Sequence, residues 1–181
     1  MNFKLKLLLA TNAINTIADG LILPLFALFV TKIGGGAELA GILFGTNFIS
    51  GAFFNLFAIK LHDKNFLNNR LFEAGLLIKG FCWVIIAFSQ NVPTLIVIQI
   101  LLGLSGALGG PAFNALVSEH LDNRKHIKEW SIWELVRNCA VATGGFLSGF
   151  VLTNFGFTML FILMAAFELI SLALYYSKKE N

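Results

Sequence analysis

Five charged side chains, Asp19, Lys79, Glu134, Arg137 and Glu168, interrupt stretches of sequence that are otherwise almost purely apolar. A charge at the centre of a membrane-spanning helix costs at least about 2.5 kcal/mol on insertion scales, so each one calls for a partner or a function. Asp19 shares the stretch "ATNAINTIADG" with Asn12 and Asn15. Spacing of i, i+3 and i+7 puts the three on one helix face. Asp19 falls roughly 18 Å into its apolar run at 1.5 Å per residue, near a bilayer midplane. Such a stripe either packs against polar groups of a neighbouring helix or lines a water-filled cavity. In a cavity the carboxyl would accept a proton or pair with a cationic group of a solute, and the amides would hydrogen-bond the solute's polar atoms. Arg137 follows Glu134 at i+3, with Asn138 beside it. The two form an intrahelical pair whose arginine snorkels to the headgroups, or Arg137 reaches a cavity to hold an anionic group or exchange partners with Asp19. Lys79 and Glu168 fall at similar depths in runs that cross in opposite directions, so they are either an ion pair or a glutamate beside a lone snorkelling lysine.

The elements that must position these residues follow from composition. The chain has 181 residues, 57% hydrophobic and 13% charged, against roughly a quarter charged in soluble domains. Six apolar runs have the length of a membrane-spanning helix, approximately 7–30, 39–61, 71–88, 92–117, 131–152 and 157–176. Runs such as "LIVIQILLGL" do not alternate as strands of a transmembrane barrel would. The first run is too long for a signal-peptide core and is interrupted by Asn12, Asn15 and Asp19, which points to a permanent span. Lys4, Lys6, Lys60, Lys64, Arg70, Arg124, Lys125, Lys128, Lys178 and Lys179 fall on one side of the expected topology, and Lys32 alone on the other. The positive-inside rule then makes both termini cytoplasmic in a plasma or inner membrane, with Trp130, Trp133, Tyr175 and Tyr176 as an interfacial belt. The net charge of +3 is a topological signal and implies no nucleic-acid partner. Cys82 and Cys139 have no metal or redox spacing and read as packing residues. His62, His120 and His126 fall in cytoplasmic links, outside any two-histidine metal motif, and no nucleophile elbow or P-loop is present. No cofactor, metal or enzymatic activity is expected.

"PLFALFV" from Pro24 echoes "PAFNALV" from Pro111, and "FISG" from Phe48 echoes "FLSG" from Phe146. Runs one to three and four to six start on opposite sides of the membrane, so a true repeat is inverted, an arrangement known in transporters. Three stretches carry a family resemblance. "NLFAIKLHDK" is similar to the signature loop between helices 2 and 3 of the major facilitator superfamily, with Leu61, Asp63 and Lys64 in the places of its Leu, Asp and Arg. "GLSGALGGPAFNALVSEHLDNRK" resembles that family's glycine-rich fourth helix, and "GGFLSGFVLTNFGFTMLF" its fifth helix turning into the sixth. The chain departs from the family pattern at Ile59, where the signature has Gly, at "NFLNNR" in place of a basic run, at Gln99 where an Arg is frequent, and around Gly145–Gly149, which lack a Gly-Pro pair.

The resemblance implies an all-α polytopic bundle of six transmembrane helices, arranged as two inverted three-helix repeats and equivalent to the N-terminal half of such a transporter. It implies that helices 1 and 4 line a central cavity, which favours Asp19, with Asn15 and Asn12, as a site for a small solute or a proton; Arg137 and Glu134 of run five remain further candidates for that site. It makes the third and sixth helices peripheral, which favours a structural ion pair between Lys79 and Glu168, and it gives Asp63 and Lys64 a place in a cytoplasmic gate. The dense small residues of runs four and five are expected to allow close helix packing. One copy supplies half a cavity wall, so a parallel homodimer in the lipid bilayer is the expected assembly. The alternatives are a split half that needs a separate partner chain and a non-transporting membrane scaffold.

Overall fold

The structure, a computed structural model, describes residues 3–62, 67–121 and 126–177, and every regular element among them is helical. Helix α1 spans Phe3–Ile22, passes through a 3-10 turn at Leu23–Leu25 and continues as α2, Phe26–Lys32. Pro24 explains the turn, because it lacks an N–H and cannot join the helical ladder. At the end of α2, Gly34 adopts φ +87° and the Gly35 N–H bonds the Val30 carbonyl at 3.0 Å. A left-handed glycine of this kind ends many helices. Helix α3 follows over Ala37–His62, α4 over Asn68–Phe88, α5 over Val92–Glu119 and α6 over His126–Ser177. Asn91 caps α5 by accepting the Thr94 N–H at 3.0 Å, with Pro93 in the first turn.

Five helical stretches are long and apolar enough to cross a membrane: Phe3–Lys32, α3, α4, α5 and α6. The 52 residues of α6 would reach about 78 Å as one rod, more than twice a hydrocarbon core. They do not form one rod, because Gly156 leaves the helical region at φ 76°, ψ 179°. Residues 126–155 run alongside α1 in the same sense, with Trp133 clustered near Leu8 and Gly144 against Gly20. Residues 157–177 run back along α1, with the Phe157 ring 5.1 Å from that of Phe29 and the Ser171 hydroxyl donating to the Thr11 carbonyl at 2.8 Å. The "TNFG" turn expected on the far side therefore falls at Gly156. Helices begin or end beyond several apolar runs, as at His126 against an expected 131, because helical hydrogen bonding does not stop where the apolar sequence does.

Without a hydrophobic drive between helices in lipid, close approach and hydrogen bonds must hold the bundle. A Cβ on Gly144 would run into the Ile17 carbonyl oxygen, and one on Gly103 into Ser50. The Ser105 hydroxyl donates to the Gly75 carbonyl at 2.8 Å, and the Asn47 amide to that of Gln99 at 3.3 Å. Apolar side chains gather in two clusters. One, around Phe29, Trp83, Ile98 and Phe161, occupies the half of the bundle nearer Gly156; the other, around Leu8, Phe72, Phe113 and Tyr175, occupies the opposite half. Three helices carry a charge in the layer between the clusters.

Candidate functional site

That layer is centred on Lys79 of α4. Its ammonium lies 2.6 Å from Asp19 Oδ1 and donates to Asn15 Oδ1 at 2.7 Å, both on α1, and stands 3.4 Å from Glu168 Oε1 on α6. On α4, Lys79 falls between Leu76 of one cluster and Cys82 of the other; on α6, Glu168 falls between Ala165 and Leu172. The exposures differ in a way that orders the site. The Asp19 side chain is 47% exposed, Lys79 15% and Glu168 1%. Asp19 thus faces open space, Glu168 is sealed behind the lysine, and neither Glu168 oxygen takes part in a hydrogen bond of normal geometry among the described residues.

The open space is a cavity of about 800 Å³, within the range of small-molecule sites. Asn12, Asn15, Asp19 and Lys79 form one wall, and Gly106, Gly109, Gly110 and Asn114 of α5 another. Close packing accounts for part of the small-residue content: Gly75 and Gly109 abut, and Gly103 sits against Gly51. Gly106 and Gly110 are different, since a Cβ there would meet nothing, and what their absent side chains provide is room in the cavity. Phe26, Phe48, Phe113 and Trp133 supply apolar lining.

Arg137 lines the same cavity, held by Glu134, whose Oε2 accepts from Nε at 3.2 Å and Nη2 at 2.9 Å. Both side chains are about half exposed, and among the described residues Arg137 forms no ion pair with Asp19. Asn12 Oδ1 accepts the Thr16 hydroxyl at 3.3 Å. The predicted residues Asn15, Asp19, Lys79 and Glu168 therefore come together, while Arg137 and Glu134 stand apart as their own pair. Asp63 and Lys64, and the charged residues Asp122, Arg124, Lys125, Lys178 and Lys179, lie outside the described residues. No group of three or more metal-ligating side chains occurs among those described.

Some placements differ from the sequence reading. Trp133 is not a belt residue: it is buried with its ring 5.1 Å from that of Phe113. Tyr175 is also buried, edge-on to Phe72 and hydrogen-bonded to Asn69. Cys139 is exposed, not packed, and Cys82 is buried. His62 is not confined to a link. Its Nε2 lies 3.1 Å from the Ala107 carbonyl oxygen of α5, and its Nδ1 3.4 Å from Asn68 Oδ1. Ala107 is four residues before Pro111, so its carbonyl has lost its helical donor, a need readable from that spacing alone. The link from Asp19 to Lys79 was missed as well, although two opposite charges near the middle of spans crossing in the same direction were a usable signal.

Residues 8–181 match the family model described as Major Facilitator Superfamily. None of the curated proteins matches the chain.

Proposed function

The chain belongs to the major facilitator superfamily, and from that premise we propose that it is a secondary active transporter of a small solute, with the proton as coupling ion and Asp19 as the group that meets the solute. One observation carries this reading: a carboxyl at mid-depth, half exposed to a cavity, with its counter-ion supplied by a lysine that has a second carboxyl group behind it. A purely structural ion pair gains nothing from facing open space, and a charge in a membrane bundle marks a pathway by default. Asn12 and Asn15 offer amides to polar atoms of the solute, and Arg137, held by Glu134, offers a guanidinium from the cavity lining. The reversal at Gly156 supports six crossings, which the echo of Pro24 and Pro111 arranges as two inverted triplets. The wall facing Asp19 comes from a second copy in a parallel homodimer, and alternating access is rocking of one protomer against the other. Asp63 and Lys64 serve the cytoplasmic gate.

The test is reconstitution in liposomes with an imposed proton gradient and a panel of radiolabelled amines, sugars and carboxylic acids. Wild-type protein accumulates at least one solute, and Asp19→Asn reduces that uptake at least about tenfold, equivalent to roughly 1.4 kcal/mol, at unchanged expression. Undiminished transport by the variant would remove Asp19 from the mechanism.

A further inference from the structure

The geometry points to Glu168 as a proton-binding site, coupled through the Lys79 ammonium to cation binding at Asp19. The proposal rests on the transport reading for its purpose, not for its chemistry. Lys79 makes short contacts to Asp19 and Asn15 and only a 3.4 Å contact to Glu168. Charge-assisted hydrogen bonds between nitrogen and oxygen run about 2.7–2.9 Å, so the ammonium in this structure is committed to α1. Glu168 then has two oxygens without a hydrogen bond in a setting 1% exposed. The groups that face it are Lys79 and the Trp83 indole from α4, and Asp19 from α1. None of these other than Lys79 brings a positive charge. While the ammonium belongs to Asp19, a proton is what neutralises the Glu168 carboxyl.

The exchange balances. With Asp19 ionised, Lys79 charged and Glu168 protonated, the three groups sum to zero. A monocation arriving from the cavity takes the half-exposed Asp19 carboxylate as its counter-ion. Lys79 then needs a shift of only about 0.6 Å to make a full charge-assisted contact with Glu168. The O–H bond of Glu168 breaks, the carboxylate pairs with the ammonium, and the proton passes to solvent. One monocation enters and one proton leaves, with no net change of charge in the bundle. The lysine is the coupling element because it can satisfy only one carboxylate fully at a time.

The experiment needs no solute. Infrared spectra of the purified protein are recorded across a pH series to follow the stretch of protonated carboxyl groups, in wild type, Glu168→Gln and Asp19→Asn. The wild type is expected to show a protonated carboxyl band that Glu168→Gln removes. Asp19→Asn frees Lys79 for Glu168, so at a given pH the band is weaker than in wild type. If Glu168→Gln does not fold, carbon-13 glutamate in the wild type makes the same assignment by an isotope shift, and Asp19→Ser is the second test of coupling. A wild type with no protonated glutamate at any pH near neutrality overturns the proposal. So does a band whose pH dependence is the same with and without the Asp19 carboxylate. An inactive liposome assay leaves this result standing, and a failure here leaves Asp19 as the solute's partner.

Discussion

Removing the Lys79 ammonium strands a carboxylate that is almost wholly buried, whereas removing Asp19 leaves the lysine with Asn15 and Glu168. The two substitutions should therefore differ sharply. Losing one partner of a buried pair typically costs about 3–5 kcal/mol, and Lys79→Met is expected to approach that loss under alkaline conditions. In acid a proton replaces the missing cation and the loss shrinks. Adding Glu168→Gln removes the stranded charge and should restore most of the stability. Thermal unfolding in detergent measures all of these. If Lys79→Met unfolds at the parent's temperature in alkaline buffer, the lysine is not what holds Glu168.

At the level of elements, α5 keeps a proline inside its 28 residues because α3 repairs the damage. Pro111 deprives the Ala107 carbonyl of a donor, and the imidazole of His62 reaches it from the end of α3. A buried acceptor left unmade costs about 1–3 kcal/mol, so His62→Ala should destabilise by that order. In a Pro111→Ala background the helix supplies its own N–H, and the same substitution should cost almost nothing. Four unfolding curves close this cycle, and equal costs in both backgrounds would refute the repair. The example shows what sequence can and cannot disclose here. Runs 39–61, 71–88 and 92–117 lie wholly within α3, α4 and α5 because bilayer thickness sets the length of an apolar run. Which face of each helix looks inward is not readable in the same way, since a helix apolar all round carries no polar stripe against which to orient it. That is why Trp133 and Tyr175 could pass for interfacial residues, and why Asp19 could be placed at a depth but not against Lys79. The faces marked in the sequence are the polar stripe of α1 and the small residues of α5 and of the first half of α6.

For the molecule as a whole, the cavity is lined in part by large apolar side chains, among them Phe26 of α2 and Phe48 of α3. The homodimer reading expects a native mass of two copies in mild detergent. It also expects a thiol crosslinker to join copies through the exposed Cys139, a product that Cys139→Ser abolishes while the buried Cys82 stays silent. A mass of one copy would overturn the homodimer. One contact bears on how the helices within a single copy can move. Gly20 and Gly144 bring the backbones of α1 and α6 into direct touch, with no side chain between them to slide or compress. Mechanically this is an axle: a tilt that preserves it swings the ends of α1 widely and its middle hardly at all. Asp19 is the residue next to Gly20. It sits at the hub, so a tilt of α1 on α6 would move the carboxyl hardly at all.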